Sequence, residues 1–229
     1  MQRIKIVPTA SGQYQIAAPD FVGFKQSLLK INDWAQAAEK RFEMVQHLLD
    51  SMEEEDMPLD WEHSNTRAAI ETIYASAIDS LGVGETEIAA ALWENLMGMD
   101  QDDHMNASIP LAFCYVVLED FDCLESVLFD ISPKRPEYHL IMLWQEHFRS
   151  GGIDVDSLRE LRTRHKAWYA EILADSHPAD EAYIADSRKE KPSSTTEARE
   201  LWFVLEPLFA SHPQFIETLR KAYCRTYTK

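Results

Sequence analysis

Apolar residues recur at every third or fourth position through most of this 229-residue chain. The first series runs from Phe21 to Leu49, and shorter series of about 13 residues follow one another from Ser64 onward. Residues at that spacing share one face of an α-helix, so each series is typical of an amphipathic helix. The chain has only seven glycines, which is less than half the usual glycine content of ~7% of residues. The turns of an all-β protein favour glycine. The sequence therefore predicts an all-α protein of antiparallel helical hairpins.

The N-terminal segment before Pro19 is the exception to this helical pattern. Residues 3–7 (RIKIV) and 13–17 (QYQIA) alternate polar and apolar side chains, and Ser11 and Gly12 interrupt them. Alternation places successive side chains on opposite faces of a strand, so the sequence predicts a small N-terminal β-hairpin. A lone hairpin is marginally stable and needs a surface to pack on. Its edge could pair between two copies of the chain and give a dimer, and the oligomeric state is left open.

Capping residues, glycines and prolines set the other expected boundaries. One long helix is expected from Pro19 to Leu49, ahead of an acidic connector at 53–56. Five shorter helices are expected over 65–81, 86–98, 105–118, 121–130 and 137–149. The last elements are a helix over 158–173, a linker or mobile loop over 187–196, and closing helices over 196–208 and 214–223. The predicted regions are a hairpin with its long helix, a helical array and a C-terminal helical cap, over residues 1–60, 61–175 and 176–229.

Acidic residues outnumber basic residues by 39 to 22, which gives a formal net charge of −17. The segment Trp61–Arg135 is the most acidic part, and no Lys or Arg lies within 68–133. Such acidity opposes binding to nucleic acid or anionic lipid, because their phosphate groups would be repelled. The acids are interpreted either as a solvated surface or as a docking face for a basic partner. The residues chosen for such an acidic face are Glu119, Asp120 and Asp122.

Side chains that could catalyse a reaction or hold a metal are present, but not at the spacing that such sites need. The run 100–104 (DQDDH) holds the densest group of metal-ligand types, yet it lacks the Gly and terminal Glu of an EF-hand loop. No HExxH, GxSxG or Gly-rich phosphate-binding motif occurs. We therefore predict no metal, no cofactor and no catalytic residue. An enzyme with a dispersed site, drawing on His104, His139 or His147, stays as a third hypothesis behind the two binding hypotheses below.

The sequence predicts a cytoplasmic protein without a membrane partner. Met1–Ala10 contains no apolar stretch of the kind that a secretory signal needs. The longest strongly apolar uncharged run, Asn106–Leu118, has 13 residues, fewer than the ~20 that a spanning helix requires. The three cysteines, an odd number without CxxC spacing, are typical of reduced thiols rather than of a disulfide framework or a zinc site.

An internal offset of 35 residues relates neighbouring hairpins, since Ala89 aligns with Leu124 and Gln101 aligns with Pro136. A helical period near 34 residues is typical of the tetratricopeptide repeat. Parts of its helix–turn–helix order occur in three stretches, Ala91–Asp103, Leu111–Leu128 and Glu137–Gly152. From Thr66 to Leu173 the chain therefore resembles a degenerate tetratricopeptide-repeat protein.

The resemblance implies a short α-solenoid over residues 61–175. In that family the first helix of each unit lines a concave groove that binds peptides or protein segments. Matched onto this chain, the implied groove residues are Thr72, Ser76, Asp79, Asn106, Ile109, Phe113, Tyr138, Met142 and Gln145. The resemblance thus implies a non-catalytic adaptor or chaperone-like scaffold for a protein or peptide partner, and the acidic surface favours a basic or neutral segment. The alternative is an acidic inhibitor or mimic that blocks a basic surface of a toxin or a nucleic-acid-binding enzyme.

Overall fold

The computed structural model describes residues 3–52 and 57–225, and it confirms an all-α fold with a small N-terminal β-hairpin. The strands of the hairpin are β1 (Lys5–Pro8) and β2 (Tyr14–Ala18). The helices are α1 (Phe21–Leu28), α2 (Trp34–Leu49), α3 (Ser64–Gly82), α4 (Thr86–Met99), α5 (Ser108–Val117), α6 (Phe121–Leu128), α7 (Pro136–Ser150), α8 (Val155–Thr163), α9 (Lys166–Ile172), α10 (Glu181–Ser187), α11 (Ser194–Ser211) and α12 (Pro213–Arg225). The predicted acidic connector at 53–56 lies outside the described residues.

The chain divides into two compact units, Met1–Cys114 and Tyr115–Lys229, and the division falls inside α5. The boundaries expected at residues 60 and 175 both lie within these units. The first lies inside a unit because α1 and α2 pack against α3, and the second because α9 packs against α11.

The hairpin is packed into the first unit. β1 and β2 pair antiparallel, with Ile6 opposite Ile16. The Tyr14 N–H donates to the Pro58 carbonyl at 2.8 Å, so β2 also contacts the segment that leads into α3. Since the Ile16 side chain is fully buried, the hairpin has the supporting surface that its marginal stability requires.

One amide fastens the hairpin and α1 to the first turn of α3. The Asn65 Nδ2 group donates to the carbonyls of Ile16, at 2.8 Å, and Pro19, at 2.9 Å. Its Oδ1 accepts from the Phe21 N–H at 2.7 Å. Next to it, the Thr66 Oγ1 accepts from the Ile16 N–H at 2.9 Å. Asn65 with these backbone partners, called the Asn65 latch below, satisfies polar groups that regular secondary structure leaves unpaired at the junction.

α3 is the central helix of the first unit, against which β2, α1, α2 and α4 pack. Ile70, Ile73 and Leu81 lie in its buried surface. Polar residues lie there too, and the Thr72 Oγ1 donates to the Ala68 carbonyl one turn earlier at 2.6 Å. A helix enclosed on several sides buries polar positions, and threonine tolerates burial because its hydroxyl can bond the backbone of its own helix.

Aromatic side chains fill the core of the second unit around Trp144 on α7. Its ring centre lies 4.8 Å from that of Phe215 and 5.5 Å from that of Phe209, both in edge-to-face geometry. This arrangement suits the ring quadrupoles and buries a large apolar area. Gly151 ends α7 in the left-handed conformation, with a φ of 67°, as the glycine pair at this position predicts.

An ionic cluster joins α9 to α11 in the second unit. The buried Glu171 carboxylate accepts from the Arg199 Nε at 2.6 Å and lies 3.0 Å from the His177 Nδ1. The His177 ring stacks on Trp202 with ring centres 3.9 Å apart. Burial acts to raise the pKa of Glu171, but the hydrogen bonds from Arg199 and His177 outweigh it and hold that pKa below its usual value. Glu171, His177 and Arg199 are called the Glu171 cluster below.

The long N-terminal helix predicted from Pro19 to Leu49 is two helices, α1 and α2. Asp33 begins the second one, because its carboxylate accepts from the backbone N–H groups of Ala35, at 2.9 Å, and Gln36. α1 ends earlier, at Leu28, and an aspartate at the N-cap position favours the start of a new helix. The apolar spacing continues across the break, which is why periodicity alone did not reveal it.

The helix predicted over 158–173 is also two helices, α8 and α9. The backbone leaves the helical conformation at His165, with φ −117° and ψ 46°. The turn allows α9 to pack against α11, a long-range contact that the local sequence does not encode. The linker expected over 187–196 contains a hydrogen-bonded turn, in which the Asp186 carboxylate accepts from the Ser193 N–H at 2.8 Å and the Thr196 hydroxyl at 2.6 Å.

Candidate partner-binding groove

The structure places the first set of implied groove residues under other helices. Thr72 and Ser76 are each 1% exposed, and Asp79 forms an ion pair with Arg41 of α2. The face of α3 that the resemblance leaves open is covered because α1 and α2 pack on it. Thr72 and Ser76 therefore do not lie on an open helix face, contrary to the expectation from the repeat pattern.

The second set lies on or next to α5. Ile109 and Phe113 are buried in the core, and Asn106 is exposed just before the helix with a φ of 50°. α5 reads SIPLAFCYVV, and a helix that is apolar all round is a buried helix. That composition was the available signal that Ile109 and Phe113 belong to the core rather than to a groove.

The third set lies on α7 of the second unit. Tyr138, Met142 and Gln145 are half-buried and follow one another at the spacing i, i+4, i+7, so they share one face of the helix. Of the nine implied residues, these three and Asn106 keep accessible surface of the kind that partner binding needs, while Asp79 is engaged with Arg41.

A groove that the repeat pattern does not imply lies in the first unit. It is a cleft of about 530 Å³ that is lined on one side by α1 and Leu29 and on the other by Arg41 of α2, with α3 as its floor. Small side chains of α3, Ala68, Thr72 and Ala75, line the floor. On the α1 wall, Val22 is 38% exposed and Leu29 is 86% exposed. The cleft is called the α1–α2 groove below.

Cations surround this apolar cleft. Lys25 of α1 pairs with Glu71 of α3, and Arg41 of α2 pairs with Asp79. The Arg67 guanidinium lies over the Trp61 ring, 5.8 Å from its centre. Burial lowers the pKa of Arg41, because a partly desolvated guanidinium loses hydration of its charge. Among the side chains that line the groove, three are cationic, at Lys25, Arg41 and Arg67, and one is anionic, at Glu71.

The sequence pattern did not predict this groove. Its walls come from α1 and α2, which were expected to be a single helix outside the helical array. The signal that was available is Leu29, a large apolar residue directly after the last turn of α1 and four positions before the Asp33 cap. Trp34, at the start of α2, is 52% exposed, but it does not line the groove, because its ring lies beside Gly82 at the end of α3.

The acidic face predicted at the start of α6 is exposed. Glu119, Asp120 and Asp122 all lie at the surface of the second unit. Asp120 also has a local role, because its carboxylate accepts from the Cys123 N–H at 3.1 Å and so caps α6. At the far end of the same helix, Phe129 is 91% exposed.

The acidic run at 100–104 is used within the fold. Asp100 Oδ1 lies 2.6 Å from the His104 Nδ1, and the His104 ring stacks on Trp61 with centres 4.5 Å apart. Asp103 accepts from the N–H and the hydroxyl of Ser108, and burial raises its pKa. Across residues 3–52 and 57–225 there is no group of three or more His, Cys, Asp and Glu side chains that could hold a metal ion.

Two other candidate residues for acid–base or nucleophilic chemistry are buried. The His139 Nδ1 lies 3.2 Å from the Ser157 Oγ, and both residues are buried, which lowers the pKa of His139. Burial raises the pKa of the Cys114 thiol to about 12, so it stays protonated at neutral pH. A buried histidine that bonds a buried serine orders the core of its unit, and a protonated thiol is a poor nucleophile.

No family model, curated protein or solved structure matches this chain. The assignment of function therefore depends on the geometry of its own surfaces. Within the part of the chain that the structure describes, no helix is long and apolar enough to cross a membrane.

Proposed function

We propose that this protein is a non-catalytic protein-binding module that takes up a short segment of a partner protein in the α1–α2 groove. The observation that carries the proposal is Leu29, which is 86% exposed on the wall of a cleft of about 530 Å³. Ligand sites in proteins commonly have volumes of ~300–1,000 Å³ and combine an apolar lining with a few polar groups. A cleft between two helices over a third suits an amphipathic helix laid into a hydrophobic groove.

The proposal keeps the adaptor or chaperone-like role that the tetratricopeptide resemblance implies, but it changes where the partner binds. The floor of the groove is α3, which is the first helix of the first implied repeat, and Thr72 lies in that floor although it is almost fully buried. The walls are α1 and α2 instead of a following repeat. The resemblance itself stays a hypothesis, and the groove does not depend on it.

The size of the apolar contact sets the expected strength of binding. Full burial of a Val or Leu side chain contributes about 1.5–3 kcal/mol, whereas association costs about 4 kcal/mol or more in lost freedom of motion. Val22 and Leu29 are the large exposed apolar side chains of the cleft, so their burial roughly offsets this cost, and we expect weak and reversible binding. Such affinity is typical of a transient adaptor contact.

The proposal is tested with peptides selected against the full chain from a random phage-displayed library. Binding of the enriched peptides is measured by fluorescence anisotropy to the wild type, to Leu29→Asp and to Phe129→Asp. Phe129→Asp is the matched control for Leu29→Asp, because both residues are large, apolar and almost fully exposed, and they lie in different units. We expect Leu29→Asp to lose binding at least tenfold and Phe129→Asp to keep it. Equal binding to the wild type and Leu29→Asp would overturn the proposal.

The same comparison tests the alternative of an acidic inhibitor or mimic. Phe129 favours this alternative, because it is an exposed apolar residue at the C-terminal end of α6, the helix whose N-terminal end carries Glu119, Asp120 and Asp122. A basic partner held there would be lost with Phe129→Asp or with charge reversal of Glu119 and Asp122, and its affinity would fall steeply with salt. Asp120 is left unchanged in that variant, because it caps α6.

A further inference from the structure

The α1–α2 groove has the opposite charge from the chain that contains it. The whole protein carries a formal net charge of −17. The lining of the groove carries Lys25, Arg41 and Arg67 against Glu71 alone, and the Asp79 partner of Arg41 still leaves an excess of positive charge. Recognition depends on local potential, so the net charge does not decide which partner segment fits here.

The cations keep donors beyond the ion pairs that they make inside the protein. A lysine ammonium has three N–H donors, and Lys25 is 40% exposed while it contacts one oxygen of Glu71. Arg67 lies over the face of Trp61, and a guanidinium in that position presents its five donors at its edge. An added carboxylate would therefore extend these pairs instead of competing with them.

Along one face of α1 and its C-terminal end, one cationic and one amide side chain lie between two apolar side chains. Val22, Lys25, Gln26 and Leu29 line the groove at the spacing i, i+3, i+4, i+7. The rise of an α-helix places the first and last of these about 10 Å apart, which is roughly two helical turns. A partner segment that matches this face needs apolar side chains at both ends of two turns and a carboxylate between them.

We infer that the segment bound in the α1–α2 groove is an acidic amphipathic helix of about two turns, with apolar anchors against Val22 and Leu29 and carboxylates against Lys25 and Arg67. This inference rests on the proposed function, because it names the chemistry of the partner for the same groove. It replaces the basic or neutral segment that the overall acidity favours. The cations discriminate against a basic segment, which would bring like charges together in a partly desolvated site.

The test uses helical peptides of about 15 residues, long enough to be partly helical in water. Each presents leucines at positions i and i+7, and the two positions between them, i+3 and i+4, are Glu, Gln or Lys. Binding to the full chain is measured by fluorescence anisotropy at about 0.15 M salt, where the Debye length of about 8 Å screens the distant acids. We expect the Glu peptide to bind about three- to tenfold more tightly than the Gln peptide, and the Lys peptide to bind more weakly than either.

Two protein variants locate the effect. Lys25→Met removes a groove cation, and Lys30→Met is its matched control on an exposed residue that does not line the groove. We expect Lys25→Met to weaken the Glu peptide about threefold more than the Gln peptide, and Lys30→Met to change neither beyond a general charge effect. Equal weakening of both peptides by Lys25→Met would show that it acts through packing, and this would overturn the assignment of the carboxylate contact.

The failure of this inference can be told from the failure of the proposed function. Equal binding of the Glu and Gln peptides, or tighter binding of the Lys peptide, overturns the inference. If Leu29→Asp still removes the binding of the Gln peptide in that case, the groove remains the binding site. No binding of any peptide at concentrations up to about 1 mM overturns both, since even a weak groove contact would be detected there.

Discussion

The two units join distant segments of the chain with different chemistry. In the first unit, the neutral Asn65 amide holds the hairpin and α1 to α3 through backbone groups at residues 16, 19 and 21. In the second, the charged Glu171 carboxylate holds Arg199 and His177 between α9 and α11. An amide does not titrate, whereas a carboxylate does. The comparison therefore predicts that one junction depends on pH and the other does not.

The surfaces of the two units differ in the sign of their charge. The exposed groove of the first unit is lined by an excess of cations, and the exposed start of α6 in the second is acidic. A single net charge of −17 hides this contrast. The difference teaches that partner chemistry has to be inferred from each surface separately.

The largest expected effect on stability is the loss of the buried carboxylate in Glu171→Ala. Arg199 is then left in a largely buried position without its partner, and removal of one member of a buried ion pair costs on the order of 3 kcal/mol or more. The free energy of unfolding is measured by urea denaturation. Hydrogen exchange is measured in parallel, and we expect faster exchange in α9 and α11 but not in α3.

Glu217→Gln is the matched control for this change. Glu217 pairs with Lys221 on α12 of the same unit, but both side chains are exposed. An exposed pair one helical turn apart contributes about 0.5 kcal/mol or less. If the two variants were equally stable, the Glu171 cluster would not hold α9 to α11.

The next largest effect is expected for Asn65→Ala, which removes the latch of the first unit. The change leaves the Phe21 N–H and the Ile16 and Pro19 carbonyls without the amide, and each lost bond costs about 0.5–1.5 kcal/mol. We expect a loss of about 2 kcal/mol and faster hydrogen exchange in β2 and α1. Asn95→Ala is the control, because the Asn95 amide bonds only to the Ala91 carbonyl of its own helix among the described residues, at an exposed position.

The sequence predicted the positions of the helices and strands better than it predicted which of them pack together. The hairpin and most helix positions follow from local periodicity, and Gly151 and the cap of α6 lie where turn chemistry expects them. The Asn65 latch joins residues 44 and more positions apart, and no local pattern encodes it. The breaks at Asp33 and His165 were missed, because the apolar spacing continues through both.

The candidate site was the least predictable part, and α3 shows why. Thr72 and Ser76 have the polar character of a groove face, but the structure buries both. The Thr72 hydroxyl donates to the backbone of its own helix, whereas the Ser76 hydroxyl is buried without a hydrogen-bond partner among the described residues, so polarity did not identify an exposed face. Which helices cover α3 is decided by the packing of α1 and α2, and a one-dimensional pattern does not contain that information.

The comparison of the two junctions is sharpened by pH. The pKa of Glu171 is lower in the folded protein than its usual value. The stability that its charge contributes is therefore fully present above the usual pKa and is lost as the pH falls through the folded pKa. We expect the difference in unfolding free energy between the wild type and Glu171→Gln to be largest near neutral pH and to shrink in acid.

Asn65→Ala provides the reference for this measurement. Its difference from the wild type should stay constant over the same pH range, because neither amide nor alanine titrates. Urea denaturation of the three proteins at pH values from 7 down to the acid limit of the fold gives both curves. A Glu171→Gln difference that stayed constant as well would mean that Glu171 acts by its shape and hydrogen bonds rather than by its charge.

The smallest effects on stability are expected for the two exposed apolar residues, Leu29→Asp and Phe129→Asp. Both side chains are almost fully exposed, at 86% and 91%, so neither change removes buried area. We expect unfolding free energies within about 0.5 kcal/mol of the wild type for both, measured by urea denaturation. Because the two variants are expected to be about equally stable, a difference in their peptide binding can be assigned to the binding surface. A loss of peptide binding in Leu29→Asp alone then reports on the α1–α2 groove and not on the fold, whereas a large destabilisation would show that Leu29 belongs to the packing of the first unit and is not a partner contact.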